Sequence, residues 1–297
     1  MHIRRHLCTA LLLLAACVPA VKPGFVSHST LTVREEKAGA GEIAFSIRDG
    51  KRIVTDTKPT HTKEMHFIVV RRDLEYFQHL HPERGADGIW RTPVIVPAGG
   101  TYWFYADFAD SQGRPQTLRF EKEMAGPGTD GNVVTHLGDP VKDSDGYDAA
   151  EKIVDGYRVQ VSTHMSADGI SFNYTVLDDK GRPVVFEDYL GEKGHSVNIS
   201  PEGDFVHTHP FKEYVGYKPT DRPIFYVGYP RDSSYRAFTQ FQIKGKVLTV
   251  DFDWTVPDRP SDTDASEEQK QTGEGHGHEE GNDAGVDAGS VRMDVAE

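Results

Sequence analysis

The chain has 297 residues, with 33 Lys and Arg against 46 Asp and Glu and a formal net charge of −13. That length suits two domains of ordinary size, and the acidity excludes nucleic acid as a natural partner, because phosphate would be repelled rather than replaced as a counterion. Its two cysteines, Cys8 and Cys17, both fall in or at the edge of the N-terminal leader, so the rest of the chain has neither a disulfide nor a thiolate metal ligand.

In chain order, residues 1–16 read as a signal peptide: basic Arg4 and Arg5, then an apolar stretch from Leu7 to Ala16 that is too short to span a bilayer. Leu14-Ala15-Ala16-Cys17 resembles a bacterial lipobox. The resemblance implies cleavage before Cys17, a thioether-linked lipid on its sulfur and an acylated amino group, which together anchor a protein stably to membrane lipid. The alternative is an ordinary signal peptide cut after Ala20, with Cys17 discarded. Residues 17–30 then form an N-terminal linker.

Residues 31–122 carry short runs with period-two alternation, "EIAFSI", "HFIVV", "TPVIV" and "TYWFYADF", separated by Gly, Pro and Asp clusters. Residues 123–150, rich in Gly, Asp and Pro, read as a linker able to fold back onto a domain. A second strand series, from "YRVQVS" to "VLTVDFDWTV", occupies residues 151–256. The expected fold is all-β, with two tandem immunoglobulin-like β-sandwich domains, since roughly a hundred residues carrying about seven short strands is the profile of that sandwich. The two series repeat each other. Each has a strand ending in a D-G or D-K-G turn, a His-rich block, and an aromatic strand ending in "ADF" or "TQF". Residues 257–297 hold almost no aromatic or branched apolar residues and read as a disordered acidic tail.

The His-rich blocks are the chemical signal. "MHFIVVRRDLEYFQHLHPE" places His66, His79 and His81 in the first domain, and "GHSVNISPEGDFVHTHPF" places His195, His207 and His209 in the second. Residues i and i+2 of a strand share a face, so each H-x-H pair projects together. A hairpin turning near Arg72-Asp73, or at Pro201-Glu202-Gly203, lays the earlier histidine beside the pair. Because the first block is one residue longer, one turn must absorb an extra residue, with a bulge as one solution. Each domain thus offers a candidate three-His cluster suited to copper or zinc. The alternative is a packing motif with the rings bonded to backbone. His61 and the thioether of Met65 are possible additional ligands, and His276 and His278 in "EGHGHEE" form a short His-rich tract of the kind that binds metals weakly.

The pattern MH-x-x-VVR-x-DL-x-x-F-x-H-x-HPE, carried by His66, Asp73, Leu74, Phe77, His79, His81 and Pro82, resembles a largely uncharacterised module of bacterial secreted proteins and lipoproteins. Some of these look like envelope heavy-metal or copper-handling factors. The second block keeps His195, Phe205, His207, His209 and Pro210 but lacks the Arg-x-Asp-Leu portion. The expectation is a lipid-anchored, exported cell-envelope protein, periplasm-facing or on the surface. It would bind copper or zinc for buffering, delivery or resistance, with membrane lipid and a metal-transport or metal-delivery protein as partners. No catalytic residues are assigned: G-x-S-x-G and H-E-x-x-H are both missing from the sequence. A metal-free binding or adhesion module and a zinc-dependent hydrolase are the competing readings.

Overall fold

The computed structural model describes residues 29–34, 38–128, 131–132, 134–143, 146, 148–166, 168–211, 222–232 and 234–256. The lipidation candidate Cys17, the acidic tail and its His276 and His278 lie outside them. The described residues form strands and no helix. The first half contains β1 (Thr30–Arg34), β2 (Gly39–Ser46), β3 (Arg48–Asp49), β4 (Arg52–Ile53), β5 (His66–Arg71), β6 (Phe77–Leu80), β7 (Glu83–Arg84), β8 (Trp90–Val96), β9 (Gly100–Ala109) and β10 (Pro115–Met124). The second contains β11 (Asp139–Lys142), β12 (Asp148–Val154), β13 (Tyr157–Met165), β14 (Gly169–Leu177), β15 (His195–Ile199), β16 (Phe205–Thr208), β17 (Ile224–Gly228), β18 (Ser234–Ile243) and β19 (Lys246–Thr255).

The first half is a sandwich of sheets β1-β2-β8-β7 and β10-β9-β5-β6. These are the A-B-E-D and G-F-C-C′ orders of an immunoglobulin-like domain. The second half repeats it with β16-β15-β18-β19 facing β11-β12-β13-β14-β17. There β11 and β12 add to the outer edge, so the segment between the two repeats contributes strand rather than loop alone. Each sandwich has its own core, one around Phe45, Phe67, Trp90 and Phe104 and the other around Phe172, Tyr174, Phe225 and Phe241.

Burial along the strands shows what each face meets. β8 alternates strictly, with Trp90, Thr92, Val94 and Val96 buried and the residues between them exposed, as expected of a strand with one face in water. β5 and β15 do not alternate: His66–Val70 and the whole of β15 are buried. Met65, Phe67 and Val69 enter the first sandwich core. Ile68 and Val70 face the other way and join Leu74, Trp103, Tyr105, Val197, Ile199 and Phe238 in a third core between the two sandwiches.

This interface is reciprocal. Phe77 of the first sandwich stacks on Phe238 of the second at 4.4 Å, and Phe205 of the second stacks on Tyr105 of the first at 4.7 Å. Tyr105 and Phe238 hold equivalent places, opposite Ile68 on β5 and Val197 on β15. At one flank Tyr105 Oη and Arg119 donate to the Gly203 carbonyl at 3.0 and 3.1 Å. At the other, Arg236, 1% exposed, donates to the Leu74 carbonyl and to carboxylate oxygens of Glu75 and Asp253.

The one-residue difference between the His blocks is absorbed in the turn and not by a bulge. Both hairpins keep one continuous register, with Ile68 opposite His79 and Val197 opposite His207. Beyond the last hairpin pair, Val70 opposite Phe77 in the first and Ile199 opposite Phe205 in the second, the turns hold residues 71–76 and the shorter 200–204. The longer turn holds Leu74 at φ 60°, the shorter one Gly203 at φ 83°. A leucine in the left-handed region is strained, and here its side chain is buried in the third core.

Candidate metal centre

The reciprocal packing turns the two His-rich blocks toward each other. Rings of His66 and His207 lie 5.3 Å apart, His66 and His195 5.8 Å, and His79 and His195 5.7 Å. Of the one cluster expected per domain, the structure forms the second, His195, His207 and His209, and in the first sets His207 of the other sandwich beside His66 and His79 in place of His81, so that all six histidines lie in one interdomain constellation. Its tightest groupings are His66, His79 and His207, which draw on both sandwiches, and His195, His207 and His209, with one nitrogen from each ring within 4.8 Å of the others. His81 stands beside the first group, its ring 4.6 Å from His79 and 5.1 Å from His66.

The outer nitrogens of four rings are tied to acceptors. His66 Nε2 donates to the Thr60 carbonyl at 3.1 Å and His195 Nε2 to the Tyr189 carbonyl at 2.9 Å. His207 Nδ1 donates to Asp107 Oδ2 at 2.8 Å and His79 Nδ1 to Gln240 Oε1 at 2.9 Å. Gln240 is itself oriented by donating Nε2 to Thr249 Oγ1. A neutral imidazole has one N–H, so these acceptors fix the tautomers: His66 Nδ1, His79 Nε2, His195 Nδ1 and His207 Nε2 are bare. Those bare nitrogens are the ones that converge. His66 Nδ1 lies 3.0 Å from His79 Nε2, and His195 Nδ1 lies 3.4 Å from His207 Nε2 and 3.0 Å from His209 Nε2.

Burial favours the neutral form of five rings, those of His66, His79, His81, His195 and His209. Burial, reinforced by the field of His207, pushes His66 down to about 3 and His195 down to about 2. Burial and the Lys63 ammonium push His81 to about 4. Burial and His207 hold His79 and His209 well below the usual histidine range. Burial works to raise the Asp107 carboxyl, but the His207 hydrogen bond and the fields of His207 and His66 outweigh it and leave it ionised at neutral pH. The result is a set of deprotonated nitrogen lone pairs aimed at each other, in a region where water cannot readily solvate them. Such an arrangement repels itself when empty and becomes attractive around a cation. The second ring of contacts, carbonyls and a carboxylate on the far nitrogens, is the support that metal-bound imidazoles require. The residues present therefore fit a borderline metal ion such as copper or zinc.

The additional sequence candidates fall out differently. Met65 is 1% exposed within the first core, and since neighbouring strand residues face opposite ways, its thioether points away from the face that carries His66. His61 lies at the rim, stacked on His209 at 3.6 Å and with Nδ1 3.0 Å from Glu192 Oε1. Sequence reasoning did not single out Asp107 and Gln240. Their signal was present in the repeat: they are the middle residues of "ADF" and "TQF", and they sit opposite His66 and His195 on the neighbouring strands. Each one serves the histidine of the other sandwich, a crossing that no alignment of the two halves displays.

Fold and site together define a pair of immunoglobulin-like sandwiches joined over a six-histidine cluster. The chain belongs to the family described as a domain of unknown function (DUF8832), matched twice, over residues 26–126 and 152–258. No curated protein matches the sequence. Among solved structures, a tetra-tandem repeat from the extending region of a large adhesion protein is 12% identical, covering 77% of this chain and 49% of that one at a TM-score of 0.25. A structure concerning the host cell surface retention of a bacterial ice-binding adhesin is 10% identical, covering 77% and 63% at 0.21. TarS from S. aureus is 8% identical, covering 76% and 62% at 0.21. The chain spans less than two thirds of each of these, and at such scores the likeness supports no inference about activity.

Proposed function

We propose that this protein binds copper or zinc in the cluster between its sandwiches, as an exported cell-envelope protein anchored through acylated Cys17. Metal buffering or delivery to a transport partner, in the service of resistance, is the role that fits a buried all-imidazole site. The observation that supports this is the convergence of bare nitrogens from both sandwiches, each backed by an acceptor on its far side. Binding is favoured over turnover because Asp107 and Glu192, the carboxylates bonded to cluster rings among the described residues, are engaged in orienting His207 and His61.

His207 belongs to both groupings, and with Nδ1 bonded to Asp107 it has a single lone pair to give. The test is equilibrium dialysis of the full chain against zinc and copper(I), with His276 and His278 replaced by Ala so that the tail contributes nothing. His207→Ala is expected to lose tight binding altogether. Unchanged stoichiometry in that variant would overturn the assignment.

A further inference from the structure

The two ends of the cluster, equivalent by the internal repeat, are built differently. At the second sandwich, His209 is drawn in, with Nε2 3.0 Å from His195 Nδ1. Its ring is covered by His61, which is stacked at 3.6 Å and pinned by Glu192. The position equivalent to His61 in the repeat, five residues before His195, is Leu190, which offers no such imidazole. At the first sandwich, His81 stays outside the tight grouping and its Nε2 is buried without a hydrogen-bond partner. That histidine lines a groove of about 510 Å³ with Glu83, Arg84, Arg91, Thr92 and Pro93. His66 and His195, deeper in, are each 1% exposed, so an ion reaching them needs a route past an outer ligand.

We infer that the metal enters and leaves the site from one side, through the groove over His81, with His81 as the first ligand to take the ion and the last to release it. This rests on the metal-binding reading of the cluster. The groove is many times the roughly 30 Å³ share of one water, room enough for an ion still carrying part of its hydration shell or a small chelating ligand. Cations at its mouth would ordinarily repel a metal ion. Here Arg84 is paired with Glu64 at 2.9 Å and Arg91 with Asp87 at 2.7 Å, and Glu83 adds an acidic group to the lining. From His81 the ion has a short step to His79 and His66, and then to His207. At the other end the His61 ring lies over His209.

The test uses the full chain with Cys8→Ser and Cys17→Ser, so that an introduced cysteine is the sole thiol. Arg91→Cys, at the groove, is coupled to a bulky maleimide-polyethylene glycol. Val185→Cys, 68% exposed on the second sandwich, carries the same label as the control. Both are loaded with zinc, and with copper(I) in parallel, and release to a chromophoric chelator is followed by stopped flow. The label at position 91 is expected to slow release by about tenfold or more at unchanged stoichiometry, as gating of a site's mouth does, while the label at 185 leaves the rate as it was. Equal release rates from the two labelled proteins, with metal retained, would overturn the one-sided route and leave the metal site standing. If the unlabelled protein retains neither ion, both inferences fall.

Discussion

His207 concentrates the chemistry of the site in one ring. Its Nδ1 proton is held by Asp107 from the opposite sandwich, which commits the Nε2 lone pair to the centre of the cluster and raises its donor strength. Replacing Asp107 with Asn keeps an acceptor in place but removes the charge. Loss of such a supporting carboxylate costs roughly 10- to 100-fold in metal affinity, a change that competitive titration against a chelator will read directly. Arg236 is the structural counterpart at the far end of the interface. Its guanidinium, buried between β18 and the 71–76 turn, serves Asp253, Glu75 and the Leu74 carbonyl at once. Arg236→Ala strands those acceptors, and breaking a buried ionic network of this kind costs about 3 kcal/mol or more, measurable by urea denaturation. The pairing of His79 with His66 was readable from spacing alone, since strand periodicity decides which side chains share a face. The roles of Asp107, Gln240 and Arg236 were not, because each acts on the other repeat, and a partner far along the chain leaves no local pattern.

The strands carry the docking of the two sandwiches. β5 and β15 bury both faces; "HFIVV", grouped in sequence with the alternating strands, has four apolar residues in succession after His66, the pattern of a strand buried on both sides, and "HSVNI" hides the same fact behind Ser196 and Asn198, which turn inward to Thr239 and Trp254. Phe238 belongs to the third core and is stacked on Phe77. Its truncation to Ala is expected to destabilise the chain by about 3 kcal/mol, the range for a buried aromatic in a core, and to lower the urea midpoint accordingly. The turn at 71–76 ties this interface to pH. Burial works to raise the Glu75 carboxyl, but the Arg236 hydrogen bond and charge, with His136 behind them, outweigh it and leave it below its ordinary value. A carboxylate depressed in the folded state binds fewer protons than in the unfolded chain, so its stabilisation is present at neutral pH and drains as pH falls below the ordinary value of 4.5. The urea midpoint should therefore decline on acidification to about pH 3.5, and Glu75→Gln should flatten that decline.

At the scale of the molecule, docking of the two repeats brings their His-rich blocks together. The second sandwich supplies His195, His207 and His209 by itself, whereas neither supplies the grouping of His66, His79 and His207 alone, so docking adds a grouping that one copy leaves incomplete. The all-β class, the two sandwiches and the six histidines followed from periodicity and repetition. That the repeats meet through their His-bearing sheets did not, since it depends on which faces are complementary in three dimensions, such as Phe77 against Phe238 and Phe205 against Tyr105. The central claim is that the interface holds a metal ion. Its most direct test is elemental analysis of the full chain, with His276→Ala and His278→Ala, purified without added metal. The account predicts about one equivalent of copper or zinc per chain, as a closed imidazole site would retain. Protein that emerges empty, and that fails to retain either metal after loading and dialysis, would contradict it.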